Sequence, residues 1–504
     1  MTPDNPLPFE IGFSSRSPAS QRREPDAPFR VLICGDFSGS SAARPSELAQ
    51  RKAMRIDVDS FDRVFARLAP RVTLSIPGAE NPLDIATRDD FHPDSLVRRV
   101  PLFGALRSLR AELADPARFE RAAAALGAGP AAPAAAAPSA ATAADSAGSD
   151  IERLLGRKPQ STPPDAPSGA GSVVQGIIRD IVAPHIRPGT DSRQQALTAS
   201  VDGALAHLLR QVLHDPGFRR LEAAWRNVER LVSEVGGEEL IEIHLLDVTR
   251  DELFADIRTH AQALGESATG RLLTGAHAGS GDSRGWSMIA LDAVLDASPA
   301  DIALLAALGS LAAGAGAALL AGVDGTVLGC PDGASLGDPA CWKAPDPQIA
   351  AHWQSVRRLP SAAAVGVIAG RLMLRLPYGA KSDPIDSFAF EEITDPQDPS
   401  GFLWGSAAPL TAMLAALAYR DDGWDLNLDA QREITDLPAF SWRDRDGDVQ
   451  IRTSAESVMS EHIAARWAEA GIMPLMGRRD RHSAQLPRWQ SMAEPVQALR
   501  GPWG

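Results

Sequence analysis

The residue pattern most suggestive of catalysis is a Gly-x-Ser-x-Gly motif at Gly281–Gly285, with Ser283 as the candidate nucleophile. In hydrolases this motif forms a sharp turn between a strand and a helix, which exposes the serine hydroxyl to a base and an oxyanion hole. Here small residues precede Ser283, and an apolar stretch typical of a strand, Trp286–Leu291, follows it. This order favours a surface loop, and a serine hydrolase stays as a remote alternative.

Acidic residues cluster at three places where acid–base or metal chemistry could occur. These are Asp57, Asp59 and Asp62; Asp444, Asp446 and Asp448; and the pair Glu391 and Glu392. The first spacing is typical of a capped helix start, and the second lacks the full spacing and final Glu of a calcium-binding loop. The glutamate pair is interpreted as a polar edge after a strand. Because no His or Cys residues have metal-ligand spacing, the sequence predicts no catalytic residue, no metal and no cofactor.

The charge of the chain limits its partners. The formal net charge is −14 over 504 residues, and the only lysines are Lys52, Lys158, Lys343 and Lys381. A negative field repels phosphate backbones and anionic lipids, so general nucleic-acid binding is disfavoured. No lysine completes a Gly-Lys-Ser/Thr phosphate loop, which argues against a nucleotide hydrolase of that type.

One apolar stretch raises the question of a membrane span. Ile302–Val323 is uncharged and long enough to cross a bilayer, but it consists mainly of Ala and Gly and has an aspartate at each end. We interpret it as a closely packed, buried helix and predict no membrane insertion. Three cysteines and an N-terminus without a basic and apolar leader favour a reducing compartment, so the predicted location is cytoplasmic.

Local patterns predict an α/β chain of the mixed α+β kind. Val31–Cys34 is typical of a buried strand that enters a tight turn, and Phe61–Leu68 of a helix that stops near Pro70. Further along, an amphipathic helix ends at Asp215–Pro216, and Leu240–Val248 is rich in β-forming residues.

A change in composition divides the chain into two parts. Ala, Pro, Ser and Gly dominate between about Ala122 and Ser172, a composition that cannot bury enough apolar surface to offset the entropy of ordering. The predicted organisation is therefore a domain at 1–121, a linker at 122–172 and a second domain at 173–504. Each domain is expected to contain a mixed sheet flanked by helices.

Several motifs resemble, in the same order, those of the contractile sheath proteins of type VI secretion. Three segments of the first part are similar to the small subunit: FRVLICGDFSG at 29–39, RK at 51–52 with IDVDSFD at 56–62, and DDFHPD at 89–94. The segments similar to the large subunit are HDPGFRRLEAAWR at 214–226, LRLPYG at 374–379, FAFEE at 388–392 and FLWG at 402–405. The resemblance implies that residues within these motifs serve packing or subunit interfaces. They are Asp36, Phe37, Gly39, Phe61, Phe91, Phe218, Leu221, Glu222, Trp225, Arg226, Pro377, Tyr378, Gly379, Phe390, Trp404 and Gly405.

The resemblance also implies how the protein works. The family's two subunits are interwoven through shared β-strands, polymerise around an inner tube and contract without covalent chemistry. Expected partners are other sheath subunits and inner-tube or baseplate proteins, with no nucleic acid and no membrane. Here the two subunits are joined in one chain, which fixes their ratio at one to one. Because the large-subunit-like part is expected to be truncated at its C-terminus, a non-polymerising accessory, capping or baseplate-adapter protein is an open alternative.

Overall fold

The computed structural model describes residues 26–39, 47–77, 81–126, 193–274 and 285–503. They belong to two compact units, Met1–Leu96 with Leu209–Gly504, and Val97–Leu208. Helices in the described ranges are α1 (Phe61–Leu68), α2 (Pro93–Arg99), α3 (Pro101–Ala114), α4 (Phe119–Ala125), α5 (Arg193–Leu213), α6 (Pro216–Val235), α7 (Arg250–Thr259), α8 (Ala268–Leu273), α9 (Pro299–Gly314), α10 (Pro347–Arg357), α11 (Ala408–Asp422) and α12 (Glu461–Glu469). The α/β character expected from the sequence is confirmed.

Strands in the same ranges are short, apart from those of one central sheet. They are β1 (Phe29–Gly35), β2 (Met54–Ile56), β3 (Arg71–Val72), β4 (Leu83–Asp84), β5 (Ile241–Asp247), β6 (Met288–Leu295), β7 (Ala318–Val323), β8 (Val365–Ala369), β9 (Leu372–Met373), β10 (Trp404–Gly405), β11 (Glu433–Ile434), β12 (Phe440–Arg443), β13 (Val449–Arg452), β14 (Met473–Pro474), β15 (Met476–Gly477) and β16 (Ala484–Gln485).

The central sheet has seven strands in the order β14-β8-β7-β6-β1-β5-β2, and β2 is antiparallel to its neighbour. Strand β1 comes from the N-terminal part of the chain, yet it is parallel to both β5 and β6. Val31 faces Ile243 on one side and Met288 on the other. All seven residues of β1 are buried. A strand hydrogen-bonded on both edges and covered on both faces is part of the core, so the two parts of the chain share one sheet.

Helices cover both faces of this sheet. Leu32 and Cys34 belong to one large apolar cluster with residues of α9, including Leu304. Phe29 instead contacts Tyr419 of α11, with ring centroids 5.2 Å apart. Because side chains alternate along a strand, β1 feeds apolar residues into the core on either face.

The apolar stretch Ile302–Val323 is divided between two elements. Its first part lies in α9, and its last part forms β7, so the predicted single helix is wrong beyond Gly314. An Ala/Gly/Leu run has no period that separates a buried helix from a buried strand. In the described residues no helix combines the length and apolarity needed to cross a membrane.

The predicted bounds of helix α1 are confirmed. The helix spans Phe61–Leu68 and ends at Ala69, which has a left-handed conformation (φ 46°). Strands β3 and β4 pair antiparallel, with Arg71 opposite Asp84 and Val72 opposite Leu83.

The unit Val97–Leu208 is helical in its described part. Within it, Arg110 of α3 pairs with Asp202 of α5 at 2.5 Å, and the Gln194 side-chain amide donates to the Leu113 carbonyl at 2.8 Å. The predicted boundaries at residues 121 and 173 both fall inside this unit, and residues 127–172 of the predicted linker lie outside the described residues. The predicted division at these boundaries stays a prediction.

Candidate functional site

The loop after β1 is anchored on the end of β5. The Phe37 and Ser38 amides donate to Oδ1 of Asp247 at 2.9 and 3.0 Å, and the Ser38 hydroxyl donates to Oδ2 at 2.7 Å. Gly39 has a φ of +86°, and a Cβ there would overlap the Arg71 carbonyl, so the close approach requires glycine. Asp36, the first residue of this loop, lines a small cavity beside the start of α6.

Helix α6 begins against the N-terminal part of the chain. Asp215 is its N-cap, and Oδ1 accepts hydrogen bonds from the Gly217 and Phe218 amides. The other oxygen, Oδ2, accepts from the Ser75 amide at 2.8 Å. One carboxylate therefore caps the helix and also holds a segment that lies far away in sequence.

Six aromatic residues form a cluster between α6 and the N-terminal part. This aromatic joint consists of Phe37, Phe61, Phe65, Phe91, Phe218 and Trp225. Trp225 lies at its centre, with its ring centroid 4.4 Å from Phe65 and 5.7 Å from Phe37. Its indole N–H donates to the Phe37 carbonyl at 2.9 Å. Each such aromatic pair contributes about 0.5–1.5 kcal/mol to stability beyond the burial of its apolar surface. The aromatic joint therefore holds the N-terminal part firmly against α6.

Glu222 and Arg226 on the next turns of α6 form a largely buried ion cluster with Arg375 and Glu392, and these four residues define the ion cluster. The Arg375 guanidinium lies between the two carboxylates, 2.7 Å from Glu222 Oε1 and 2.6 Å from Glu392 Oε2. Arg226 donates to Glu222 at 2.8 Å from the other side. Glu222 and Glu392 are 0% and 2% exposed, so each carboxylate depends on these partners for its compensation.

Electrostatics inside the cluster favour the ionised forms. Burial alone would raise the pKa of Glu392, but the Arg375 guanidinium, the nearby His214 imidazole and the hydrogen bond from the Tyr378 amide lower it to about 2. Burial likewise opposes the charge of Arg375, yet Glu222 and Glu392 raise its pKa well above the ordinary value. Two positive and two negative charges thus compensate one another, which suits a cluster that holds shape rather than transfers protons.

Tyr378 closes the ion cluster. The Arg375 guanidinium stacks on the Tyr378 ring, 4.2 Å from its centroid, and the Tyr378 amide donates to Glu392 at 2.8 Å. His92, from the N-terminal part, contacts the same ring edge-on at 5.2 Å. Two neighbouring predicted residues shape the turn, because the Pro377 carbonyl accepts from the Ser382 hydroxyl and a Cβ at Gly379 would overlap the Glu391 carboxylate.

The remaining predicted residues lie outside the aromatic joint and the ion cluster and make separate packing contacts. Leu221 is buried on α6, and Phe390 packs beside Phe388 and under the guanidinium of Arg210. Trp404 belongs to a separate small core with Met373 and Phe402. At Gly405 a Cβ would overlap Leu374, so this glycine permits close packing.

The sequence missed two features of the site. The interpretation of Glu392 as part of a polar edge is wrong, because its side chain is buried by contacts with Arg375 and Tyr378. Arg375 is not among the residues that the sequence predicts for the site. A glutamate after the alternating FAF segment gave a weak signal for an inward-facing residue, but no local pattern identifies its partner.

A partly buried carboxyl beside α6, Asp292, gives a pH-dependent prediction. Burial raises its pKa from 3.8 to about 6, although Asn227 donates to it at 3.0 Å. The folded state therefore holds this proton more tightly than the unfolded state. The resulting stabilisation is complete below 3.8 and is lost as the pH rises through about 6.

We expect Asp292→Asn to remove this dependence. Urea midpoints measured at about pH 5 and about pH 8 should show the variant more stable relative to wild type at the higher pH, where wild type carries the buried charge. Asp446→Asn, at an exposed turn, is the control and should follow wild type at both values. If the difference in urea midpoint between Asp292→Asn and wild type is the same at both pH values, the pKa of Asp292 is not raised in the folded state.

The other candidate catalytic and metal-binding sites predicted from the sequence include the acidic cluster at Asp57 and the motif that contains Ser283. Asp57 accepts from the Ser60 amide at 2.8 Å and from its hydroxyl at 2.6 Å, at the start of α1. Among the residues that the structure describes, no group of His, Cys, Asp and Glu side chains could hold a metal ion. Ser283 lies outside the described residues.

Comparison with known proteins agrees with this architecture. Residues 195–493, more than half of the chain, match the family model VipB, described as "EvpB/VC_A0108, tail sheath N-terminal domain". Residues 15–119 match the model for "Type VI secretion system, VipA, VC_A0107 or Hcp2".

Two relatives from Pseudomonas aeruginosa resemble the two parts of the chain. The type VI secretion system sheath protein TssC1 is 27% identical over 311 residues, which cover 60% of this chain and 62% of TssC1. The sheath protein TssB1 is 35% identical over 95 residues, 18% of this chain and 55% of TssB1. The chain thus spans less than two thirds of either relative. With the family model matched over most of its second part, and a small-subunit match over its first, this chain belongs to the tail sheath protein family of type VI secretion.

Proposed function

We propose that this protein is a structural protomer of a contractile type VI secretion sheath, with its small- and large-subunit-like parts in one chain. It acts in the cytoplasm, assembles with other sheath subunits around an inner tube, and is not an enzyme. The observation that carries the proposal is the position of β1 between β5 and β6. A strand from the TssB-like part in the middle of the TssC-like sheet makes the two parts one mechanical body.

The aromatic joint and the ion cluster support this role. A protomer that transmits force must not separate internally, and the joint holds the TssB-like part to α6 through Trp225 and the Phe37 carbonyl. The ion cluster fixes the turn at Tyr378 to the same helix. Charged side chains there are bonded to one another, an arrangement that stabilises shape.

Negative-stain microscopy of the purified chain with inner-tube protein tests the proposal. We expect long tubules, because a protomer polymerises along the tube. Discrete particles would contradict it and favour the accessory or adapter alternative. Treatment with a serine-reactive probe tests the hydrolase alternative, since labelling of Ser283 above the level of a Ser283→Ala control would support a nucleophile.

A further inference from the structure

A cavity of about 270 Å³ opens beside the aromatic joint and the ion cluster. Phe91, His92, Trp225 and Tyr378 give it aromatic walls. Its volume equals that of about nine waters, so it has room for one long side chain rather than a folded element.

The residues that line the cavity carry an excess of negative charge, with three carboxylates and two arginines. Its two arginines are compensated, because Arg88 pairs with Glu229 and Arg226 with Glu222. Asp89 and Asp383 are exposed at the mouth, and within the described ranges neither carboxylate forms an ion pair. Two exposed carboxylates without an ion pair suit a guanidinium, whose N–H groups donate to carboxylates in one plane.

The same chain presents an arginine-rich finger. The loop between β15 and β16 contains Arg478, Arg479, Asp480, Arg481 and His482, and the last four of these are exposed. Asp480 pairs with Arg478 at 3.2 Å and lies 3.7 Å from Arg481, so one carboxylate serves two arginines. Arg479 forms no ion pair with any described residue. The finger thus has an excess of positive charge on a chain whose net charge is −14.

The finger and the cavity are formed by different residues and have complementary charge, as the two sides of a head-to-tail contact require. Such an interface uses two different patches, so each copy binds the next and the series continues as a ring or an open helix. No contact of the loop residues Arg478–His482 with the cavity is found among the described residues, which leaves both patches available to a neighbour.

We propose that the loop Arg478–His482 of one copy docks into the cavity of a second copy, with Arg479 between Asp89 and Asp383. This inference rests on the proposed sheath function and names one contact that would build the polymer. The recognition is electrostatic, so it weakens as the salt concentration rises.

Cysteine cross-linking tests the contact directly. In a Cys341→Ser background, which removes the exposed thiol, Asp480→Cys and Lys381→Cys are made in separately tagged full-length chains, so that Arg479, Arg481 and Asp383 are retained. On mixing and mild oxidation we expect a disulfide-linked dimer that carries both tags. Arg445→Cys, in another exposed loop, replaces Asp480→Cys as the control and should give no mixed dimer.

Charge reversal tests the pairing. Arg479→Glu with Arg481→Glu should reduce about tenfold the fraction of the protein that sediments as assembled polymer with inner-tube protein, because like charges then meet at the mouth of the cavity. Adding Asp89→Arg and Asp383→Arg to that chain should restore it.

The outcomes separate this inference from the proposed function. Tubules from wild type without any mixed disulfide would overturn the docking and leave the sheath function standing. A mixed disulfide without tubules would support the docking and count against polymerisation. A chain with only Asp89→Arg and Asp383→Arg is also tested. If this chain fails to assemble while the chain with only Arg479→Glu and Arg481→Glu assembles normally, another protein occupies the cavity, and the inference is overturned.

Discussion

Arg375→Ala is expected to lower the free energy of unfolding by about 3–5 kcal/mol. The substitution leaves Glu222 and Glu392 facing each other without the guanidinium that lies between them, and both carboxylates are almost fully buried. Removing one partner of a buried ion pair destabilises the fold by more than the intact pair stabilises it. The remaining charge is still desolvated, but no opposite charge compensates for its lost hydration. Urea unfolding followed by tryptophan fluorescence measures the effect.

Arg478→Ala is the matched control. This arginine also pairs with a carboxylate, Asp480 at 3.2 Å, but the pair is exposed and solvent already stabilises both charges. We expect its unfolding curve to superimpose on that of wild type. If Arg375→Ala shifts the transition no more than this control does, then the ion cluster is hydrated in solution and does not hold α6 to the Tyr378 turn.

The ion cluster also illustrates the limit of prediction from sequence. The sequence predicts a role for Glu222 and Arg226 only because they lie in a motif that resembles the sheath family, and Arg375, although it lies in the segment LRLPYG, is not among the predicted residues. A charged side chain normally indicates exposure, and only a partner brought in by the fold reverses that expectation. Glu222 and Arg375 are 153 residues apart in sequence, so no window of local pattern contains both.

Local features were predicted far better. Helix α1 has the predicted bounds, and the amphipathic helix predicted to end at Asp215–Pro216 ends at Leu213, because a cap residue and a proline act through their immediate neighbours. Val31–Cys34 was correctly predicted as a buried strand. Its neighbours could not be predicted, because parallel pairing joins residues more than 200 positions apart and leaves no signal at either strand.

The shared sheet leads to the second large effect. We expect residues 193–504, produced alone, to be recovered mainly in the insoluble fraction, and co-production with residues 1–126 to restore soluble material containing both pieces in equal amounts. Without the first piece, β5 and β6 lose the strand that lies between them, and Trp225 loses its aromatic partners. Each large apolar side chain of β1 withdrawn from the core costs about 1.5–3 kcal/mol. Affinity capture through a tag on the shorter piece, followed by gel densitometry, measures the ratio.

Single substitutions in the shorter piece decide whether β1 is responsible. Ile33 is fully buried between β5 and β6, where it faces Leu245 and Ala290, so Ile33→Asp should abolish capture of the longer piece. Arg63→Asp reverses an exposed charge on α1 and should leave capture unchanged. A longer piece that is soluble and folded by itself, or one captured equally well by the Ile33→Asp variant, would show that β1 is dispensable. The two parts would then be joined only by the polypeptide between them, and contraction could not be transmitted through a common sheet.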